Sequence, residues 1–247
     1  MILALLRQVK EVLDKHNIEF WLECGTLLGA VRDGKFIPWE HDIDLGAWQE
    51  KVPETVKISI SKELCDRGFK VWIAENHMNI KKGEDFWADI NFYRLNNNEA
   101  IMPKSEPINV EGKFLSLFLN VLSVPYHYKV LPTQNIFREA NFKKKFVIFI
   151  RIILIIISRI LPFLLRKQLT IILSQIYKKM KFKDVSWSVP SDYFTNLQTM
   201  EFYGLEFRIP AKKEEYLTYR YGKDWQIPRK DWVTERDDGA VSIRHLD

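Results

Sequence analysis

Two aspartates one residue apart, Asp42 and Asp44, constrain this chain more than any other feature. They lie in Trp21 to Gly46, WLECGTLLGAVRDGKFIPWEHDIDLG, with a Gly-Thr ending an apolar run 16 residues upstream. If Ile43 is in a strand, side chains at 42 and 44 point to one face about 6.5 Å apart, while Ile43 and Leu45 face the core. Two carboxylates held this way repel unless a cation lies between them or one keeps a proton, and a hard divalent metal is the simplest remedy. Read alone, Asp-x-Asp would be a solvated loop; the upstream Gly-Thr and the bracketing by Ile43 and Leu45 reverse that preference.

The surroundings suit an anion. Phe20 to Cys24 reads as a short buried strand, Leu27 to Val31 as a helical turn and Asp33-Gly34 as a turn. Gly25 lets a ligand approach the backbone, and the amides after it, with Thr26, can face a phosphate as they do at helix starts. Arg32 adds a forked donor. A phosphate seat facing a metal seat is the reading.

Downstream, 53 to 67 reads as a helix with Val56, Ile60, Leu64 and Cys65 inward, stopped by Gly68. Three strands are expected over 69–74, 77–82 and 85–95. In the third, Phe86, Ala88, Ile90 and Phe92 share one face, which leaves Asp89 mid-strand on the polar face; it is either a solvent-facing acid or a third carboxylate for the metal. His77 reads as an ordinary sheet residue. Met200 to Pro210 reads as a hairpin turning at Tyr203-Gly204, and Lys212 to Arg220 as a helix. The tail around Glu235, Arg236, Asp237 and Asp238 reads as a solvated segment.

The net charge of +5 is unevenly spread. Residues 143–183 hold 11 Lys and Arg and no acid, which leaves the remainder at −6. A nucleic-acid binder would spread such charge over its reading face, so nucleic acid is not expected as a partner. Phe146 to Leu165 is long enough to span a bilayer. On a helical wheel, however, Arg151, Ser158, Arg159, Pro162 and Arg166 fall within an arc of about 100°. Arginines at a bilayer centre cost roughly 2.5 to 3.5 kcal/mol each. An amphipathic helix on an anionic membrane surface, broken at Pro162 and resumed over 167–177, fits better than a span; a buried helical hairpin is the other reading. Two cysteines, Cys24 and Cys65, make no disulfide framework and suit a reducing compartment. The N-terminus, an amphipathic helix, reads as neither signal peptide nor anchor. The organisation expected is a core over 1–141, a basic helical insertion over 142–185 and the rest of the core over 186–247.

Gly25-Thr26 ahead of Asp42-Ile43-Asp44, with Asp89 later, resembles the DNA polymerase beta-like nucleotidyltransferases. More narrowly, GTLLGAVRDGKFIPWEHDIDLG and the late YLTYRYGKDWQIP resemble the LicD and fukutin branch. The resemblance implies an α+β fold, a mixed sheet flanked by helices, carrying the basic helical insertion. It implies a phosphotransferase that moves phosphocholine, ribitol phosphate or glycerol phosphate from a CDP-linked donor to a sugar of a glycan or lipid-linked glycan. Carried over by position, Asp42, Asp44 and Asp89 hold Mg2+ or Mn2+, with Asp89 alternatively taking the acceptor's proton. Gly25, Thr26 and Arg32 cradle the diphosphate, Glu40 stands where some relatives carry another aspartate beside the metal pair, and Tyr221 and Trp225 of the late motif bind substrate. The cysteine cluster that binds zinc in fukutin-related protein is missing from this sequence. A bacterial-type cytoplasmic enzyme, bound peripherally to the inner face of the membrane, is the expected setting. Transfer of a nucleotide from an NTP with release of pyrophosphate, or a non-catalytic nucleotide-binding scaffold, are the competing readings.

Overall fold

The first helix forms because its apolar residues recur at three- and four-residue spacing: Leu5, Leu6, Val9, Val12 and Leu13 are buried along one stripe of α1 (Ile2–Lys15). The computed structural model describes residues 2–83, 85–107, 111, 115, 118, 119, 162–177 and 182–245. Within these, α1 is followed by β1 (Phe20–Leu22), α2 (Cys24–Asp33), β2 (Asp42–Trp48), a 3-10 turn (Gln49–Lys51), α3 (Glu54–Asp66), β3 (Lys70–Ala74), β4 (His77–Lys81), β5 (Trp87–Asn96) and β6 (Glu99–Pro107). Then come α4 (Phe163–Tyr177), β7 (Phe182–Pro190), α5 (Asp192–Thr195), β8 (Leu197–Phe202), β9 (Leu205–Pro210), α6 (Lys213–Tyr221), α7 (Thr234–Asp237) and β10 (Val241–His245).

The strands form one mixed sheet in the order β10-β7-β6-β5-β2-β1-β9-β8, with the β3–β4 hairpin added on β5. Its centre is the parallel pair β2 and β5, flanked by antiparallel β1 on β2 and antiparallel β4 on β5. Central strands buried on both faces read as continuous apolar runs, which explains why Phe20, Trp21 and Leu22 are all buried. Register pairs Trp21 with Gly46. The Trp21 indole fills the space a side chain at 46 would need, so glycine is required there by packing rather than by a turn. That indole stacks on Phe194 with centroids 4.6 Å apart and lies 5.6 Å from Trp48, forming an aromatic core beneath β2.

Three expectations are amended. The strand before Gly25 stops at Leu22, and the helical turn is a full ten-residue helix that runs from Cys24 to Asp33 and is capped by Gly34, in the left-handed region at φ 64. The reversal from strand to helix within two residues is made at Cys24, whose φ of 47 lies in that region too. In α3, Lys57 is buried with Ile60 and Leu64, while Val56 and Cys65 are only partly so. Its ammonium donates to the Glu75 carbonyl at 2.6 Å and sits 4.2 Å from the Phe92 ring centroid, so one lysine replaces an apolar side chain at the helix–sheet contact.

Two compact units are distinguished, residues 1–104 with 185–243 and residues 105–184 with 244–247. The expected interfacial stretch 146–161 lies outside the described residues; its continuation is helical as α4. Among the described residues no helix is long and apolar enough to cross a membrane.

Candidate active site

Strand alternation delivers the two aspartates as expected. Ile43 and Leu45 are fully buried, and Asp42 and Asp44 share the opposite face of β2. Parallel pairing of β2 with β5 then sets Asp44 directly opposite Asp89. Burial is the main reason the Asp44 carboxyl is pushed well above the usual carboxylate range, and the charges of Asp42, Glu23, Asp89 and Glu40 push it further. Asp42 is raised by burial and then by Asp89. Glu40 is pushed up to about 7 by burial and by Asp42, against the opposing charge of Arg32. Such a group of mutually repelling acids marks a functional site more often than a structural one.

Asp89 is the most thoroughly hydrogen-bonded of them. Its Oδ1 meets His77 Nε2 at 2.8 Å and accepts from Asn79 Nδ2 at 2.8 Å, while Oδ2 accepts from Trp87 Nε1 at 3.0 Å. His77 is therefore a partner of Asp89 rather than an ordinary sheet residue. The antiparallel register of β4 on β5 places Asn79 opposite Asp89 and brings His77, two residues away, to the same face.

The phosphate seat is arranged differently from a bare cradle. Thr26 is buried, and its Oγ1 accepts the Asp44 backbone N–H at 2.8 Å, tying the first turn of α2 to β2. A methyl placed on Gly25 would overlap the Glu40 carboxylate, which occupies the space glycine leaves open at the start of α2. A carboxylate there is favourably placed, because the first backbone N–H groups of a helix carry partial positive charge. Arg32 forks onto Asp33, Nε to Oδ1 at 3.0 Å and Nη2 to Oδ2 at 2.7 Å.

The late motif reaches the same place through α6. Tyr221 lies within range of the Asp44 charge, one contributor to the rise of its phenol after burial. Trp225 is buried in the core. Beside Tyr221 in the chain is Arg220, which is 3% exposed. Its guanidinium pairs with Asp238 and donates from Nη1 to Cys24 Sγ at 2.7 Å and to the Tyr216 hydroxyl at 3.0 Å. Asp238 is thus buried, contrary to its reading as part of a solvated tail: it answers the charge of Arg220 and caps the Ala240 backbone N–H at 2.9 Å. Glu23, also missed, is fully buried and accepts from Asn91 Nδ2 at 2.7 Å; burial raises its carboxyl against the opposing charge of Arg220. Neither buried acid has a spacing signature, since Glu23 is partnered by Asn91 and Asp238 by Arg220, residues 68 and 18 positions away.

Among the described residues no three His, Cys, Asp or Glu side chains converge closely enough to ligate one ion as they stand. Asp42 and Asp44 nonetheless offer hard oxygen donors, and Mg2+ is commonly held by one or two carboxylates together with substrate phosphates rather than by an all-protein cage. The donor set, with its uncompensated like charge, fits such an ion.

Residues 17–114 match the family model described as LicD/FKTN/FKRP, nucleotidyltransferase domain. That stretch is similar to a LicD-type domain over somewhat less than half of the chain. The human ribitol 5-phosphate transferase FKRP is similar to it, with 41% identity over 69 residues, 27% of this chain and 14% of that protein. The chain thus matches only a small part of FKRP's length. The lipopolysaccharide cholinephosphotransferase LicD of Haemophilus influenzae is 22% identical over 244 residues, 88% of this chain and 86% of that protein. The lincosamide antibiotic adenylyltransferase LnuA superposes with a TM-score of 0.30 at 21% identity, over 42% of this chain and 61% of that one, too loosely to bear on fold or activity. The LicD-type match spans α2, β2 and β5, the elements that carry Gly25, Thr26, Asp42, Asp44 and Asp89.

Proposed function

We propose that the protein is a metal-dependent phosphotransferase. It moves a phospho-alcohol group, of the phosphocholine, ribitol phosphate or glycerol phosphate type, from a CDP-linked donor to a sugar hydroxyl of a cell-surface glycan, and CMP leaves. The observation that carries this reading is the opposition of Asp44 and Asp89 across parallel strands, with Asp42 on the same face and the first turn of α2 bound to β2 through Thr26. The two named relatives transfer groups of this class.

Asp42 and Asp44 would hold Mg2+ or Mn2+, with Asp89 beside them. Such an ion, when bound, neutralises charge on a diphosphate and makes a hydroxyl more acidic. The chain's own groups do the positioning, on which phosphoryl transfer chiefly depends. The α2 start at Gly25 and Thr26, with Arg32, receives the diphosphate, and Glu40 gives up its place over Gly25 as the phosphate arrives. Asp89, oriented by His77, Asn79 and Trp87, takes the proton of the acceptor hydroxyl. Tyr221 borders the substrate beside Asp44, and Trp225 holds the turn behind it.

The enzyme works at an anionic membrane surface on the cytoplasmic side, where a lipid-linked glycan would be presented. Support comes from the local basicity of residues 143–183 and from α4, where Leu165, Ile172 and Ile176 stand exposed at spacings of seven and four residues, on one stripe. Sedimentation with anionic but not neutral vesicles is the expected behaviour.

The activity is tested by incubating the protein with CDP-choline, CDP-ribitol or CDP-glycerol, Mg2+ and acceptor glycan, and measuring CMP. One donor should give CMP, and EDTA or Asp42→Ala should stop it. Absence of CMP from all three, or unchanged turnover by Asp42→Ala, sinks the reading; pyrophosphate released from CTP points instead to nucleotidyl transfer.

A further inference from the structure

After α6 the chain runs through Pro228-Arg229-Lys230-Asp231-Trp232 as a strap pinned on aromatic rings. The Trp232 ring lies 4.8 Å from that of Tyr221, in the late motif. Two residues earlier, Lys230 Nζ sits 5.1 Å from the ring centroid of Trp39. Trp39 precedes Glu40, whose carboxylate covers Gly25. One pin therefore stands on the residue next to Glu40 and the other on the late motif.

The cations near this site are not equivalent. Arg32 is forked onto Asp33. Arg229 is paired with Asp231 at 3.3 Å and Asp237 at 3.8 Å, and lies over the Trp232 ring. Lys230 has no carboxylate within ion-pair distance among the described residues; its contact is the face of Trp39. A ring holds an ammonium electrostatically from one side and consumes none of its three N–H donors. Lys230 is exposed, so those donors are open to a ligand. A nucleoside diphosphate entering beside Glu40, Asp42, Asp44 and Asp89 adds negative charge to a site that already has an excess of it. A cation with unused donors at the rim is what such a ligand requires.

We propose that Lys230 is a substrate-binding residue that engages the diphosphate of the donor, with Trp39 as its platform. This assignment rests on the CDP-linked donor reading above. The strap thereby serves as a wall of the phosphate seat, held on the rings of Trp39 and Tyr221.

The test is calorimetric titration of the full chain with CDP in Mg2+, which reads binding without turnover. The unaltered protein should bind CDP. Lys230→Ala should weaken that binding about 10-fold or more, with shallower salt dependence. Lys230→Arg should stay within about 3-fold, because it keeps both the charge and the stacking on Trp39. Binding of cytidine, which has no phosphate, should not respond to either change, and the melting temperature should stay constant because the side chain is exposed. Equal CDP affinity in Lys230→Ala and the unaltered protein overturns the role of Lys230 and leaves the donor reading standing. No binding of CDP by the unaltered protein overturns both.

Discussion

Asp44 and Asp89 face each other across neighbouring parallel strands, one carboxylate half-buried among like charges and the other held by His77, Asn79 and Trp87. The contrast divides the site into an acid that needs a cation and an acid that is already oriented.

Removing the repulsion at Asp44 should stabilise the metal-free protein while disabling it. Asp44→Asn keeps the shape and deletes a half-buried charge; a gain of about 1 to 2 kcal/mol, or roughly 2 to 8 °C in melting temperature, is expected in EDTA. Transfer activity should fall by about 100-fold or more. Thermal melts in EDTA beside CMP release check both, and a lower melting temperature for Asp44→Asn would falsify the account of repulsion.

The same charges set a pH dependence. Glu40 ionises at about 7 in the folded chain against an ordinary value of 4.5, so between these values the folded state holds more protons than the unfolded one. Stability from this group is therefore greatest below about pH 4.5 and declines as pH rises towards 7. Urea unfolding in EDTA should show that decline, and Glu40→Gln should flatten it. Mg2+ should raise stability most at the upper end. A profile in Glu40→Gln identical to that of the unaltered protein counts against it.

Two glycines should respond in opposite ways to a single methyl. Gly46→Ala drives a Cβ into the Trp21 indole inside a packed core, and a loss of about 3 kcal/mol or more, with poor soluble yield, is expected. Gly25→Ala meets only the end of the Glu40 side chain, which can swing away, so the fold should survive. Adding Glu40→Ala to Gly25→Ala should cost less stability than the two single changes summed; additive effects would show that the two positions do not touch.

Arg220 and Asp238 should behave as a buried pair. Arg220→Met or Asp238→Ala strands the other charge, and about 3 to 5 kcal/mol of destabilisation is expected from each. Combining Arg220→Met with Asp238→Leu should recover much of the loss. Denaturant titrations of the three variants decide it; a double variant as unstable as the sum of its parts contradicts the pairing.

What the sequence determined by itself is local. A period of two placed Asp42 and Asp44 on one face and Ile43 and Leu45 on the other, and spacing of three and four placed the buried stripe of α1, because both patterns follow from backbone geometry within a few residues. The hairpin at Tyr203-Gly204 was legible for the same reason. Asp89 could be seen to face away from Ala88 and Ile90, but not to face Asp44. That depended on the register of β5 on β2, and the partnership of His77 and Asn79 depended on β4. Only tertiary packing brought Glu40 over Gly25, Lys230 onto Trp39, and Asp238 beneath Arg220 across 18 residues. Those contacts arise where distant segments meet and must satisfy each other's charge once water is excluded, and no periodicity in the chain records them.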